Sequence, residues 1–197
     1  EGDELKCYSK AQILGGGSGS GEIGICYKRN GSPYVQGGAD IQGDPRITSY
    51  RDMKLTPRDV FGVDKATLSN LSDYYTDEGA DGLPVELPDF SLIYVEGDVT
   101  FTMMHPLEGG GVLFVDGDMK IENGANCQFA GLIFITGELI YGTQAWLEGQ
   151  IVALEGGKIG LGGYDKAMIL YNDDVLNVVS QLIGNYRKRR TYAIHPT

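Results

Sequence analysis

A repeat of about 20 residues constrains this chain more than any other feature. Four segments align on a glycine: Ile93-Tyr-Val-Glu-Gly97-Asp-Val, Leu113-Phe-Val-Asp-Gly117-Asp-Met, Ile133-Phe-Ile-Thr-Gly137-Glu-Leu and Val152-Ala-Leu-Glu-Gly156-Gly-Lys, their glycines 20, 20 and 19 residues apart. Each has an apolar strand before it, ending at Val95, Val115, Ile135 and Leu154, and a second after it, from Val99, Met119, Leu139 and Lys158. A unit that recurs at such a period cannot bury its own apolar face, so equivalent units stack and share one core. The period therefore predicts a mainly β fold, a single-stranded parallel β-solenoid (β-helix) of about 20 residues per turn, with strands stacked at roughly 4.8 Å. An antiparallel sandwich also uses short strands and glycine turns, but needs no fixed period. Glycine is expected at the corners because a sharp bend between faces calls for positive φ.

Composition agrees. The chain has 197 residues, 42% of them hydrophobic, and 30 glycines. That is roughly twice the usual glycine share of about 7%, without the Gly-X-Y period of collagen and with too much apolar surface for a disordered segment. No run of 18 apolar residues is present, so no membrane span is expected. The sequence opens on Glu1 without a charged and apolar leader, and reads as a mature or excised fragment.

Around the repeat the chain reads as one compact domain in four stretches. Residues 1–55 carry N-terminal strands (Ala11-Gln-Ile-Leu14, Ile23-Gly-Ile-Cys-Tyr27) and an early turn of the coil, Ala39-Asp-Ile-Gln-Gly43-Asp-Pro-Arg-Ile47. Residues 56–90 form a helical excursion and loop: a short turn from Pro57, then an Asp64-capped helix with apolar residues at Leu68, Leu71, Tyr74 and Tyr75. Residues 91–171 are the main solenoid, ending on a strand at Ile169-Leu-Tyr171. In residues 172–197, a helix from Asn172, acidic at its start and closed by Gly184, is expected to lie over a coil end as a cap, followed by a basic tail.

The net charge of −11 and pI near 4.5 disfavour nucleic acid, whose phosphates would repel the body of the chain, and no clear nucleic-acid site is present. The cysteines are three, Cys7, Cys26 and Cys127: too few for a zinc site or a disulfide scaffold. Cys7 and Cys26 are the candidate bridge in an oxidising compartment, and Cys127 is expected in the core. Gly19-Ser-Gly-Glu-Ile-Gly24 matches a dinucleotide-binding pattern, but Ile25-Cys-Tyr-Lys-Arg-Asn-Gly-Ser-Pro33 cannot open the helix such a site needs. His105 precedes Pro106 on a connection between repeats and reads as a turn residue. With His195 it completes the histidines, which leaves few bases for a nucleophile. No catalytic residue is assigned and the chain is read as not an enzyme. The corner carboxylates Glu96, Asp98, Asp116, Asp118, Glu138 and Glu155 read first as a solvated acidic edge. Asp98, Asp116 and Asp118 are the calcium candidates within it, and no other cofactor is expected. Arg187-Lys188-Arg189-Arg190 gathers four of the 16 basic residues and is the candidate docking segment for a partner.

The residues resemble a known family. Asp59-Val-Phe-Gly62, Ile93-Tyr-Val-Glu-Gly-Asp98, Gly110-Gly-Val-Leu-Phe-Val-Asp-Gly-Asp118, Phe129-Ala-Gly-Leu-Ile-Phe-Ile-Thr-Gly137 and Ile169-Leu-Tyr-Asn172 resemble the C-terminal β-solenoid region of PilX-like type IV pilus assembly proteins of bacteria, over about residues 39–190. The resemblance implies a cell-surface, extracellular or periplasmic module in the assembly, adhesion or decoration of a pilus-like filament. Its partners would be proteins of that assembly, with self-association as a further route. The membrane would enter only through an N-terminal hydrophobic helix outside this sequence. No catalytic residue comes with it. Two other readings stand beside this one: a polysaccharide-binding or polysaccharide-active β-helix using the acidic edge, with Asp116 and Asp118, or the aromatics Trp146, Tyr141 and Tyr164, and a bactofilin-like scaffold that polymerises through its coil ends.

Overall fold

A computed structural model describes residues 5–15, 25–28, 33–43, 46–50, 55–84, 87 and 90–192. Strands β1 (Leu5–Cys7), β2 (Ala11–Leu14), β3 (Ile25–Lys28), β4 (Tyr34–Val35), β5 (Asp40–Ile41) and β6 (Ile47–Tyr50) precede the helices α1 (Pro57–Phe61) and α2 (Lys65–Leu71). β7 (Tyr74–Thr76) and a 3-10 turn, Gly79–Gly82, lead into β8 (Ser91–Glu96), β9 (Val99–Phe101), β10 (Glu108–Asp116), β11 (Met119–Ile121), β12 (Gln128–Ile135), β13 (Leu139–Tyr141), β14 (Ala145–Ala153), β15 (Gly157–Ile159) and β16 (Ala167–Leu170). Helix α3 (Asp173–Tyr192) comes last. Long and short strands alternate, and each pairs in parallel with its equivalent one rung away, Leu113 with Ile133 and Met119 with Leu139. The chain is thus a β-solenoid of about five turns, as the period predicts.

The stacking order departs from chain order. The long-strand sheet runs β5-β2-β16-β14-β12-β10-β8-β7 and the short-strand sheet β4-β1-β15-β13-β11-β9. The N-terminal strands therefore do not begin the coil; they extend its far end, where Ala11 to Leu14 pair with Ala167 to Leu170 and Leu5 to Cys7 with Gly157 to Ile159. The excursion carries the chain from one end of the coil to the other. β6 does not continue the early turn but pairs with β3 in a separate two-stranded sheet.

Two helices differ from the sequence expectation. α2 ends at Leu71: Ser72 turns extended, and Tyr74 to Thr76 pair with Ile93 to Val95 as β7, with the Tyr75 ring stacked on Tyr94. α3 continues through Gly184 to Tyr192, since a glycine in a helix interior costs about 1 kcal/mol against alanine and ends the helix only where the backbone turns left-handed. Nor does α3 close a coil end. It crosses β14, β12 and β10 on the flank of the long-strand sheet.

That placement gives the sheet two buried faces. Ile93, Leu113 and Ile133, with Val95, Val115 and Ile135, fill the coil interior. The residues between them, Leu92, Tyr94, Val112, Phe114, Leu132 and Phe134, form a second cluster with Phe61, Leu68 and Val179 from the three helices. Tyr75, Tyr94, Phe114 and Phe134 stack in one ladder with centroids 5.0 to 6.0 Å apart, and Phe61 meets Phe114 and Phe134 edge-on. Runs such as Val112-Leu-Phe-Val115 are continuously apolar rather than alternating because both faces are covered. α1 is set by a capping box, Thr56 and Asp59 each bonding the other's backbone N–H, and by a left-handed Gly62.

The repeat glycines have two jobs. Gly97 takes φ 86° with open space where a Cβ would go. Gly117 and Gly137 show no such φ; a Cβ on Gly137 would lie 2.0 Å from Asp118 Oδ1 and 2.8 Å from the Gly117 carbonyl oxygen. In mid-strand, Gly111, Gly131 and Gly149 are in register at φ 122°, 157° and 129°, and each would drive a Cβ to within 2.2 Å of the carbonyl one rung away.

Candidate functional site

The acidic corner is built from the Gly-Asp pairs. Asp98 Oδ1 accepts the Asp118 N–H at 2.8 Å, and Asp118 Oδ1 accepts the Glu138 N–H at 2.8 Å. Each carboxylate reaches one rung on, into the space that Gly117 or Gly137 leaves by lacking a side chain. Glycine and aspartate are one device: the first opens the gap and the second ties the next rung's backbone across it. The sequence signal was present in the Gly-Asp pairing itself, but its partner lies 20 residues away and only the coil brings the two together.

Asp116 faces the helices. It accepts Lys65 Nζ at 2.5 Å, the Tyr94 hydroxyl at 3.1 Å and the Thr136 hydroxyl at 3.1 Å, tying α2 to three rungs. Burial raises its pKa, but the Lys65 hydrogen bond and charge, with the two hydroxyl donors, outweigh that and hold the carboxyl below its ordinary value. Burial in turn pushes the Tyr94 hydroxyl up, helped by Asp116. Glu96 accepts the Tyr75 hydroxyl, and Glu138 pairs with Lys158 at 2.6 Å. Among the described residues no group of three His, Cys, Asp or Glu side chains converges as a metal site would require, so Asp98, Asp116 and Asp118 are not gathered into one.

Cys7 is a free, buried thiol and the expected bridge to Cys26 is not formed. Its side chain stacks with Ile159 inside the coil, whereas Cys26 lies on β3 in the separate sheet and its side chain lies outside the described residues. Cys127 is buried as expected, its sulfur accepting the Leu107 N–H. Burial pushes both thiols up to about 11, which suits core residues and not nucleophiles. His105 sits on the β9–β10 connection, 3.5 Å from Asp81 of the 3-10 turn. Tyr141 is no surface aromatic: it is 1% exposed and donates to the Met168 carbonyl at 3.0 Å. Trp146 and Tyr164 are exposed. Arg187, Lys188, Arg189 and Arg190 fall within α3, and their side chains, like the Gly19 to Gly24 segment, lie outside the described residues.

One surface feature was not read from the sequence. Met103, Met104, Trp146, Leu161 and Tyr164, five of the large apolar side chains that stay exposed, all lie on or next to the connections from a short strand to the next long one. Those connections succeed one another along a single edge of the coil. The signal was there in Met103-Met104, adjacent apolar residues inside a connection.

Compared with models of protein families, with curated proteins and with solved structures, the chain matches none. Among the described residues no helix is long and apolar enough to cross a membrane.

Proposed function

We propose that this chain is a non-enzymatic β-solenoid module of a bacterial cell-surface or periplasmic assembly, acting in the assembly, adhesion or decoration of a filament like a type IV pilus. The observation that carries the reading is the split between the polar and the apolar side chains. Asp98, Asp116, Asp118 and Cys127, the groups a reaction would draw on, are engaged in joining rungs and helices, while Met103, Met104, Leu161 and Tyr164 face water on one edge. Exposed large apolar groups brought to one edge are a signature of a protein contact.

The test is co-sedimentation of the purified chain with sheared surface filaments. The intact chain pellets with the filaments, and a variant carrying Met103→Ser, Met104→Ser and Leu161→Ser stays in solution with an unchanged far-UV spectrum. Equal pelleting of both, or of neither, overturns the reading. Fibres formed by the chain alone favour the self-polymerising scaffold instead.

A further inference from the structure

We propose that the outward face around Trp146 binds a neutral glycan chain, lying along the coil axis. The face is formed by the first halves of the long strands. Register places Trp146 in a row that runs Glu108, Gln128, Trp146, Met168, Gln12, Asp40, one residue per rung. At roughly 4.8 Å per rung this row is about 24 Å long, enough for several sugar units and far more than one needs. On its own strand Trp146 shares its face with Glu148, two residues on, and Gln144 sits just before the strand on the β13–β14 connection. The indole is 46% exposed although the strand beneath it belongs to a rigid parallel ladder.

The surroundings are held in place. Gln144, a non-glycine residue at φ 61°, donates its side-chain amide to Asp165, and its backbone N–H bonds the Lys166 carbonyl at 2.9 Å. Asn126, at the same edge one rung away, is also left-handed at φ 55°. Left-handed non-glycine residues persist where the surroundings over-determine them, and they cluster at functional sites. Tyr164, on the β15–β16 connection, has its carbonyl pinned by Lys10 Nζ at 3.0 Å while its side chain is 97% exposed.

The chemistry selects the ligand class. An exposed indole offers an electron-rich face to the C–H side of a pyranose ring, and the amides and carboxylate of Gln128, Gln144 and Glu148 meet its hydroxyls. Glu108, Asp40, Glu148 and Asp165 outnumber Lys10 and Lys166 on this face, four carboxylates to two ammonium groups, so it repels a sulfated chain, a uronan or a nucleic acid and leaves a neutral glycan as the sugar polymer it accepts. Within the row itself Met168 is the one other apolar side chain, among Glu108, Gln128, Gln12 and Asp40, a polar setting that suits sugar hydroxyls better than the apolar centre of a protein contact.

Trp146 is the sole tryptophan, so its fluorescence reports this face alone. The experiment is affinity electrophoresis of the full chain through gels cast with neutral glucans, mannan or galactan, or with an anionic uronan, together with fluorescence titration by soluble oligosaccharides. The expected result is retardation by at least one neutral glycan, a saturable change in Trp146 emission, and about tenfold weaker binding in Trp146→Ala with an unchanged melting temperature. Trp146→Phe keeps a ring and retains most of the binding. Retardation by none of the neutral glycans, retardation by the uronan alone, or binding undiminished in Trp146→Ala overturns the proposal, and none of these depends on filament binding.

Discussion

Replacing Gly131 by alanine separates two reasons for a glycine. Gly131 stands between Gly111 and Gly149 in the long-strand sheet at φ 157°, and an added Cβ would lie 1.9 Å from the Gly111 carbonyl oxygen and 2.8 to 2.9 Å from its carbon and nitrogen. These are backbone atoms of a paired strand, so no rotamer change relieves the contact; a rung must shift by about 1 Å. Overpacking of this kind costs about 1–3 kcal/mol, and the unfavourable φ adds about 1–2 kcal/mol. At about 2–4 °C per kcal/mol for a chain of this size, the melting temperature falls by about 10 °C. Gly97→Ala keeps the φ penalty without the crowding, since nothing lies within 4 Å of its Cβ, and loses about 1–2 kcal/mol. Gly137→Ala keeps the crowding without the φ, and because one of the atoms it strikes is Asp118 Oδ1, its effect and that of Asp118→Ala are less than additive. Thermal and urea unfolding of the four single variants, and of the Gly137→Ala/Asp118→Ala double variant, reads all of this. If Gly131→Ala is no less stable than Gly97→Ala, the crowding argument is refuted.

Phe114→Ala, which opens a hole between Tyr94, Phe134 and Phe61, destabilises by about 3–5 kcal/mol in urea unfolding, and Phe114→Leu by less. Asp118→Asn keeps an acceptor for the Glu138 N–H and is milder than Asp118→Ala, which lowers the melting temperature by about 2–4 °C; calcium titration leaves the wild-type value unmoved, and a rise with calcium would favour a calcium site at this corner. Because the Asp116 pKa is held down in the fold, its contribution is complete above the ordinary carboxyl value of about 3.9 and is lost as pH falls through the depressed value; Lys65→Met flattens that acid limb of the stability profile. Cys7 and Cys127 resist iodoacetamide at pH 8 in the folded chain and react on unfolding; rapid labelling of either without denaturant contradicts their burial.

How much of this was legible in the sequence differs from residue to residue. Gly97, Gly117 and Gly137 mark corners in any reading, but the reason at Gly117 and Gly137, room for a carboxylate from the previous rung, cannot be seen without the stack. The apolar runs read as the inward side of the coil, and that the long-strand sheet is buried on its outer face too was decided by where α1, α2 and α3 pack. Tyr74 and Tyr75 fit a helical pattern through Leu71, and the free edge of β8 decided otherwise. Trp146 and Tyr164 stay exposed as a surface aromatic site would require, but Tyr141, in register with Ile121 and Ile159, turns inward with them.

The period, the inward apolar residues and the burial of Cys127 were determined by the sequence, since a repeating apolar pattern fixes which side chains face inward whatever rung lies next to them, and the capping of α1 rests on residues three apart. Tertiary structure alone decided which rung adjoins which. The edge of a parallel sheet presents the same row of N–H and C=O groups to any strand with the right pattern, so nothing local tells β1 and β2 to begin the coil rather than to finish it against β15 and β16. The same holds for α3: its apolar positions call for an apolar surface, and the exposed flank of the long-strand sheet, already half covered by Phe61 and Leu68, was the one the fold supplied.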